Sequence, residues 1–311
     1  MKGLALVTGG AGFIGSHICD ALLADGWRVR VLDDLSVGRR ENVPAGCELI
    51  TGSVLDDEAL KVASEGVDAV LHEAARVSIR GSVERFCEDA ETNLVGTLRT
   101  LRAASRAGVR RFVMASSMAV YADSPERTPM SESHPLDPAS PYGINKLAAE
   151  RSVMLLGRQL AMEPVALRYF NTFGPRQAFT PYVGVVTIFA TKLLADEPLT
   201  IFGDGSQTRD FVHVTDVARA NVLALSSPAA PHRTFNVGSG RGTSVSELSS
   251  MLRERLRPRA TVLYQPARPE ELLHSVADIT AARSALGYAP ETDLRRQIDD
   301  VIDSLRKART A

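Results

Sequence analysis

Short apolar runs alternate with longer stretches of helical spacing along the first half of the chain. Leu4 to Val7 form an apolar run bounded by glycines, the pattern of a buried strand. Phe13, Ile14, Ile18, Ala21 and Leu22 then recur at helical spacing over 13–25, with Gly26 as the terminator. Val29 and Val31 mark a second strand, Leu49 and Ile50 a third, Ala69 to His72 a fourth and Phe112 to Ala115 a fifth. Helical patterns fill 56–64 and 82–107 between them. Strands apolar on both faces, alternating with helices, predict parallel βαβ units in one doubly wound α/β sheet. Val165 to Arg168 predicts a further strand. Beyond it the segments shorten, and Gly174-Pro175, Gly203-Asp204-Gly205 and Gly238-Ser239-Gly240 read as loops. The chain is therefore expected to divide into a sheet domain over 1–168, to which 213–237 returns, and a smaller region over 169–311. In open α/β sheets ligands bind at the carboxyl ends of the strands, where the candidate chemistry should converge.

Composition narrows the class. The chain has 311 residues, 44% apolar and 23% charged, with a formal net charge of −1. That excludes disorder, collagen and coiled coil as whole-chain readings. The charge balance argues against a nucleic-acid binder. No apolar run reaches the roughly 18 residues that span a bilayer, and the N-terminus lacks a signal-peptide pattern. A cytoplasmic protein without a membrane partner is expected. Cys19, Cys47 and Cys87 are scattered and odd in number, which reads as reduced structural thiols. Only five basic residues are lysines (Lys2, Lys61, Lys146, Lys192 and Lys307), so each merits attention.

Thr8-Gly9-Gly10-Ala11-Gly12-Phe13-Ile14-Gly15 follows the first strand and opens the first helix. Gly9 suits the tight turn, Gly12 a close backbone approach to pyrophosphate, and Gly15 close helix–strand packing. The helix N-terminus adds orphan N–H groups and a positive dipole end. Asp33 ends the second strand 18 residues past Gly15, near the spacing of a ribose-binding acid. A carboxylate there accepts from the 2′-hydroxyl of NAD and repels the 2′-phosphate of NADP. Tyr142 and Lys146 stand at i and i+4, on one face if helical. An ammonium and an oxidised nicotinamide would both favour the phenolate, so Tyr142 could take a proton from a sugar hydroxyl as hydride leaves. Ser116 and Ser117 end the fifth strand, and Ser117 could share that proton. Glu73 ends the fourth strand within His72-Glu73-Ala74-Ala75-Arg76. This is not a zinc motif, because the second histidine is absent. Its carboxylate is open to two readings, an added acid/base group or a side chain turned into a helix interface.

These residues together resemble the extended short-chain dehydrogenase/reductase family, within it the nucleotide-sugar 4-epimerases and dehydratases. The resemblance covers almost the whole chain. It rests on Thr8–Gly15, Asp33-Asp34-Leu35-Ser36, His72–Ala75, Asn93, Ser116–Tyr121, Tyr142–Lys146, Leu167–Asn171, Gly174-Pro175-Arg176, Gly203-Asp204-Gly205, Arg209-Asp210-Phe211 and Arg268. It implies a Rossmann domain holding NAD and a smaller domain holding a UDP-sugar. By motif position Ser117, Tyr142 and Lys146 match the catalytic set, with Glu73 as a possible fourth member. Besides Gly9, Gly12, Phe13, Ile14, Gly15 and Asp33, the cofactor would meet Asp34, Ser36, Gly38, Ser53 and Val54. Further along it would meet Ala74, Ala75, Arg76, Asn93, Ser116, Tyr142, Lys146 and Phe170. The sugar nucleotide would meet Ser117, Met118, Asn171, Val186, Thr200, Ile201, Phe202, Arg209, Arg268, Glu271 and Ser275. Two arginines suit forked contacts with a diphosphate.

The departures from the family pattern carry information. Met118 and Ala119 stand where 4,6-dehydratases carry Asp-Glu. Ala122 and Glu270 replace glycines, and Ser53 replaces an acid near the adenine contact. Ser275 matches the position that gates the C2 substituent, and its small size leaves room for an N-acetyl group. The expected activity is transient oxidation at C4 of a UDP-hexose, UDP-N-acetylglucosamine in particular, completed as 4-epimerisation. The alternative is loss of water across C5–C6, giving a 5,6-ene or a 4-keto-6-deoxy sugar. A non-catalytic NAD-binding sensor is the third reading. The resemblance also implies a homodimer pairing the helices at 82–107 and 141–160. Leu94, Leu98, Leu101, Leu147, Val153 and Leu155 are its expected apolar faces.

Overall fold

The computed structural model describes residues 2–124, 127–178, 184–267 and 272–310. Arg268, Glu270 and Glu271 lie outside the described residues. The chain opens with β1 (Leu4–Thr8), α1 (Phe13–Ala24), β2 (Arg28–Asp33), β3 (Cys47–Thr51), α2 (Asp57–Ser64) and β4 (Ala69–His72). It continues through α3 (Ile79–Glu84), α4 (Phe86–Ala90), α5 (Thr97–Arg106), β5 (Arg111–Ser117), α6 (Pro141–Gln159), β6 (Glu163–Tyr169) and β7 (Asn171–Phe173). Then come α7 (Val185–Leu194), β8 (Leu199–Phe202), β9 (Thr208–His213), α8 (Val214–Ser226), β10 (Arg233–Val237), β11 (Gly242–Ser244) and α9 (Val245–Leu256). The last are β12 (Val262–Gln265), β13 (His274–Ser275), α10 (Thr280–Leu286) and α11 (Leu294–Thr310).

Seven parallel strands form the main sheet, in the order β10-β6-β5-β4-β1-β2-β3. The edge strand β10 comes from the 213–237 segment and pairs with β6. One face of the sheet is sealed by Ile18 and Leu22 of α1, Val217 and Ala224 of α8 and Ala282 of α10. The other is sealed by Leu60 of α2, Leu101 and Ala104 of α5 and Ala149 and Val153 of α6. Burial on both faces explains why these strands read as apolar runs. A separate core, built on Phe173, Phe189, Leu199, Leu248 and Ile298, supports two small sheets, β11-β9-β13 with β7 on β9, and β12-β8.

The helix expected over 82–107 is not continuous. Arg85 leaves helical geometry between α3 and α4, and a π turn spans Glu91–Gly96 before α5. Side-chain bonds to the backbone accompany the break. Thr97 Oγ1 donates to Asn93 O (2.7 Å), Thr100 Oγ1 donates to Gly96 O (2.8 Å), and the Asn93 amide is drawn to Arg76. Such bonds compete with regular helical pairing. Leu101 and Val153, expected on a dimer face, belong instead to the protein's own core.

Candidate active site

The glycine turn is shaped by backbone geometry that other residues disfavour. Gly9 has φ +71°, and a Cβ there would stand 2.7 Å from Ala74 N. A Cβ on Gly15 would come within 2.2 Å of Gly9 O, so α1 can approach β1 only through a glycine. Gly12 occupies the N-cap of α1 without a capping side chain, and no acid lies in the first turn. The orphan N–H groups and positive end of the dipole therefore face a position suited to an anion. Asp33 is mostly buried, and its carboxylate accepts from the N–H of Ala11 (2.9 Å) and of Leu35 (2.9 Å). Burial pushes its carboxyl above the usual range, against the pull of those two donors. The acid expected to read the ribose is thus locked to the phosphate-binding turn. Turn, helix end and acid fit NAD.

Around them, Asp34 accepts from the N–H and Oγ of Ser36, and Gly38 lies against Asp33 and Ala11. Ser53 turns its hydroxyl to Leu55 N, and Val54 packs on Gly96. Three of the expected cofactor residues engage their side chains within the protein. The buried Asn93 amide is spent on the backbone of Arg76, donating to its O and accepting from its N–H at 3.0 Å each. It holds the backbone of Arg76 from both sides of the amide. Ser116 Oγ donates to Glu150 (2.6 Å), because alternate residues of a strand point to opposite faces and Ser117 takes the site side. Phe170 is buried in the core beside the Tyr121 ring.

The expected catalytic set comes together at the carboxyl ends of β4, β5 and β6. Ser140 caps α6 by accepting from Gly143 N, and Pro141 takes the first helical position, where no N–H is needed. Gly143 lets the helix press on the turn after β5, since a Cβ there would lie 2.3 Å from Ala119 O. The Tyr142 N–H donates to Ser82 Oγ (3.1 Å). This seating places Tyr142 near Ser117, whose hydroxyl favours the phenolate. Burial raises the Tyr142 pKa to about 12, against the pull of the Ser117 hydroxyl, while the charges of Asp89 and Glu73 push the same way as burial. Lys146 is 2% exposed, and burial lowers its pKa to about 8, opposed by Glu73, Asp89 and Glu150. Glu73 is partly buried and accepts from Tyr169 Oη (3.0 Å). Burial raises its carboxyl to about 7. A phenol, an ammonium, a hydroxyl and a carboxyl that exchanges protons near neutrality form a constellation suited to proton transfer.

On the substrate side, Asn171 stands on β7 with a buried Nδ2 that has no partner among the described residues. Ser275 on β13 is fully enclosed, and its Oγ is likewise unpartnered. Arg209 on β9 donates to Thr208 O (2.9 Å) and stays partly exposed. Strand alternation on β8 leaves Thr200 and Phe202 half-buried, whereas Ile201 packs into the small core with Val186. Val186 and Ile201 are buried side chains of the small core. Met118 opens the turn after Ser117. The motifs did not single out Ser82, Ser140 or the Tyr169–Asn221 pair. Ser140-Pro141 carried a recognisable helix-start signal, and the others carried none.

A Rossmann sheet with this Ser–Tyr–Lys cluster and glycine turn defines an NAD-dependent enzyme of the extended short-chain dehydrogenase/reductase class. Residues 5–238 match the family model described as NAD dependent epimerase/dehydratase family, and the chain belongs to that family. It is 38% identical over 304 residues to a putative UDP-glucose 4-epimerase of Methanocaldococcus jannaschii, covering 97% of this chain and 98% of that one. The fold superposes on the UDP-glucose 4-epimerase of Thermus thermophilus, solved with NAD, at a TM-score of 0.91 and 37% identity, covering 98% and 99% of the two chains. It also superposes on a UDP-N-acetylglucosamine 4-epimerase of Methanobrevibacter ruminantium at 0.92 and 33% identity, covering 99% and 100%. NAD is therefore the cofactor, and the reaction is that of a nucleotide-sugar enzyme.

Proposed function

We propose that the protein is a UDP-hexose 4-epimerase that also accepts the N-acetylated hexosamine. The observation that carries this reading is the seating of α6, with buried Tyr142 and Lys146, against the turn that follows Ser117, next to the glycine turn. NAD, when bound, supplies a hydride acceptor and donor for C4. Tyr142 takes the proton of the C4 hydroxyl, with Ser117 hydrogen-bonded to the same oxygen. The protein alone leaves the phenol near 12, so a base at neutral pH needs positive charge close by, which Lys146 contributes from within the same helix. The 4-keto sugar then turns in the pocket, and Tyr142 returns the proton to O4 at the inverted centre. Asn171 and Arg209 hold the diphosphate, as a buried amide without a partner and a guanidinium at the edge of β9 would do. Arg268 and Glu271 are assigned to the nucleotide by motif position alone. Relatives named for UDP-glucose and for UDP-N-acetylglucosamine bracket the substrate class. Ser275, small and enclosed, is the residue proposed to admit the acetamido group.

Met118 and Ala119 lack the carboxyls that a 4,6-dehydratase uses next to the catalytic hydroxyl, which favours epimerisation over water loss. The test is NMR of UDP-glucose and UDP-N-acetylglucosamine after incubation with the purified protein. The C4 epimer of each is expected. Alkene or 4-keto-6-deoxy signals would establish dehydration instead, and unchanged sugar would leave the sensor reading. Tyr142→Phe, which removes one hydroxyl from an otherwise retained helix, should lower turnover by roughly 10²–10⁴.

A homodimer is part of the same proposal. Val83 of α3, Phe86 of α4, Val95 in the π turn and Ile144 and Leu155 of α6 are exposed large apolar residues on neighbouring helices. A groove of about 660 Å³ is lined by Val95 together with Leu98, Leu101, Leu156 and Leu160. A second copy of this chain laid across α5 and α6 would cover them. Among the described residues no helix is long and apolar enough to cross a membrane.

A further inference from the structure

Ser275, assigned above to the acetamido group, stands on a strand that needs outside support. β13 is two residues long, shorter than the usual strand, and it ends its sheet. It runs parallel to β9, with His274 opposite Thr208 and Ser275 opposite Arg209. Successive side chains of a strand point to opposite faces. One face of this pair therefore carries Ser275 and Arg209, and the other carries His274 and Thr208, whose side chains are hydrogen-bonded at 2.9 Å. β9 has further neighbours of its own. β11 places Thr243 opposite Arg209, and β7 pairs with Phe211, Val212 and His213. Support for β13 comes from the segment that follows the Ser117 turn. Asp123 Oδ1 accepts from Leu273 N (3.0 Å). Met130 ties the other end, donating from its N to Val276 O (2.7 Å) and accepting at its O from Asp278 N (2.9 Å). Between these backbone ties Arg127 reaches His274, Nε to Nε2 at 3.1 Å. It does so from a left-handed backbone, φ 57°, that residues other than glycine seldom adopt. A guanidinium can only donate, so His274 Nε2 accepts, and the neutral ring keeps its proton on Nδ1 for Thr208 Oγ1. His274, 6% exposed, thus joins Arg127 to Thr208 on the reverse face of the strand that carries Ser275.

We propose that His274 is a positioning residue for the C2 substituent of the sugar: clamped between Arg127 and Thr208, it fixes β13 on β9 and so fixes where Ser275 meets the acetamido group. This rests on the substrate class proposed above, and it gives His274 a part in specificity without contact to the sugar. Two features of Ser275 make its placement matter. It is fully enclosed, so a displaced strand takes space that the acetamido group needs. Its Oγ has no partner among the described residues, so a ligand group can complete that hydrogen bond. Such a bond weakens steeply as its geometry departs from alignment. UDP-glucose has a small hydroxyl at C2 and asks less of this spot. Arg209 bonds more closely to its own neighbour, Thr208 O at 2.9 Å, than to Leu273 O at 3.4 Å, and it stays with β9 when β13 shifts. The hold on the diphosphate, common to both sugars, is therefore expected to survive the loss of His274.

Calorimetry on cofactor-loaded protein gives the affinity for each UDP-sugar without turnover. His274→Phe keeps a planar ring and removes both hydrogen bonds. The Kd for UDP-N-acetylglucosamine should rise roughly tenfold, while that for UDP-glucose stays close to the wild-type value. Arg127→Ala removes one of the two bonds from an exposed position and should give a smaller rise with the same sugar. His274→Asn, whose amide can still donate to Thr208, should recover part of the loss. In steady-state kinetics the same split should appear in KM, with kcat little changed. If His274→Phe fails to fold, Arg127→Ala carries the test. Equal losses on the two sugars would make His274 an ordinary part of the fold and overturn the proposal. Unchanged affinity for both, or a wild-type protein that does not bind UDP-N-acetylglucosamine, would overturn it as well. A protein that binds both sugars with the expected split yet epimerises neither would refute the assigned function and leave the part of His274 standing.

Discussion

Asp33 shows how much one side chain can settle. Its carboxylate is tied to the backbone of Ala11 in the glycine turn and of Leu35 just beyond β2, where Leu35 takes a positive φ of 58°. The residue proposed to choose between NAD and NADP is thereby also a strut of the glycine turn. Asp33→Ala removes a charged acceptor for the ribose and leaves two N–H donors to find water. Loss of a hydrogen bond to a charged group costs about 1.5–3 kcal/mol, so NAD affinity should fall roughly 10- to 150-fold, as measured by calorimetry. Cofactor released from denatured wild-type protein should be NAD. Recovery of mainly NADP would contradict this role for Asp33. Ser116 and Ser117 make the converse point. They are adjacent and chemically alike, yet Ser116 serves a buried ion pair while Ser117 turns to the opposite face, where the proposed base Tyr142 lies, because a strand alternates its faces.

At the scale of elements, α6 decides whether the catalytic groups meet. Ser140 and Pro141 start the helix, and Gly143 lets its first turn lie against the Ala119 carbonyl. Gly143→Ala would place a methyl 2.3 Å from that oxygen, so the first turn must lift and carry Tyr142 away from Ser117. A misplacement of about 1 Å at reacting groups can cost about 10²-fold. Steady-state kinetics should show a fall in kcat of that order, with NAD content unchanged, since the glycine turn lies elsewhere. Full activity in Gly143→Ala would show that this close packing does not seat the base. Much of this layer was legible in the chain itself. β4 runs over the expected residues, and β1, β2, β3, β5 and β6 end within a few residues of their apolar runs, because a parallel sheet covered on both faces imposes an uninterrupted apolar pattern. The Tyr142–Lys146 spacing and Ser140-Pro141 were likewise local signals. The broken helix over 79–106 was not legible, since periodicity does not register the Thr97, Thr100 and Asn93 bonds to backbone that accompany the interruption. Nor was the hydrogen-bonded set Glu73–Tyr169–Asn221, whose members stand 96 and 52 residues apart and meet only when β4, β6 and α8 pack together.

For the whole molecule, the distribution of apolar surface bears on assembly. The faces of α5 and α6 that seal the sheet are fully used, with Leu101 and Val153 in the core. The outward faces of the same layer still carry Phe86 at 60% exposure, Ile144 at 55% and Leu155 at 60%, which is far from the usual fate of such side chains. Clustered exposed apolar residues mark interaction surfaces more often than scattered ones do. A twofold pairing of this face with itself would cover both copies by one isologous contact. Multi-angle light scattering at micromolar concentration should therefore give the mass of two chains, about twice 33.5 kDa. Ile144→Asp and Phe86→Asp together put two charges into the contact while leaving the core and the strand ends untouched. Burying an unpaired carboxylate is costly enough to prevent association, because the dimer would have to desolvate it without a partner. The double variant should run as a monomer with its NAD still bound. A wild-type protein that scatters as a single chain, or a double variant that stays dimeric, would remove this face from consideration.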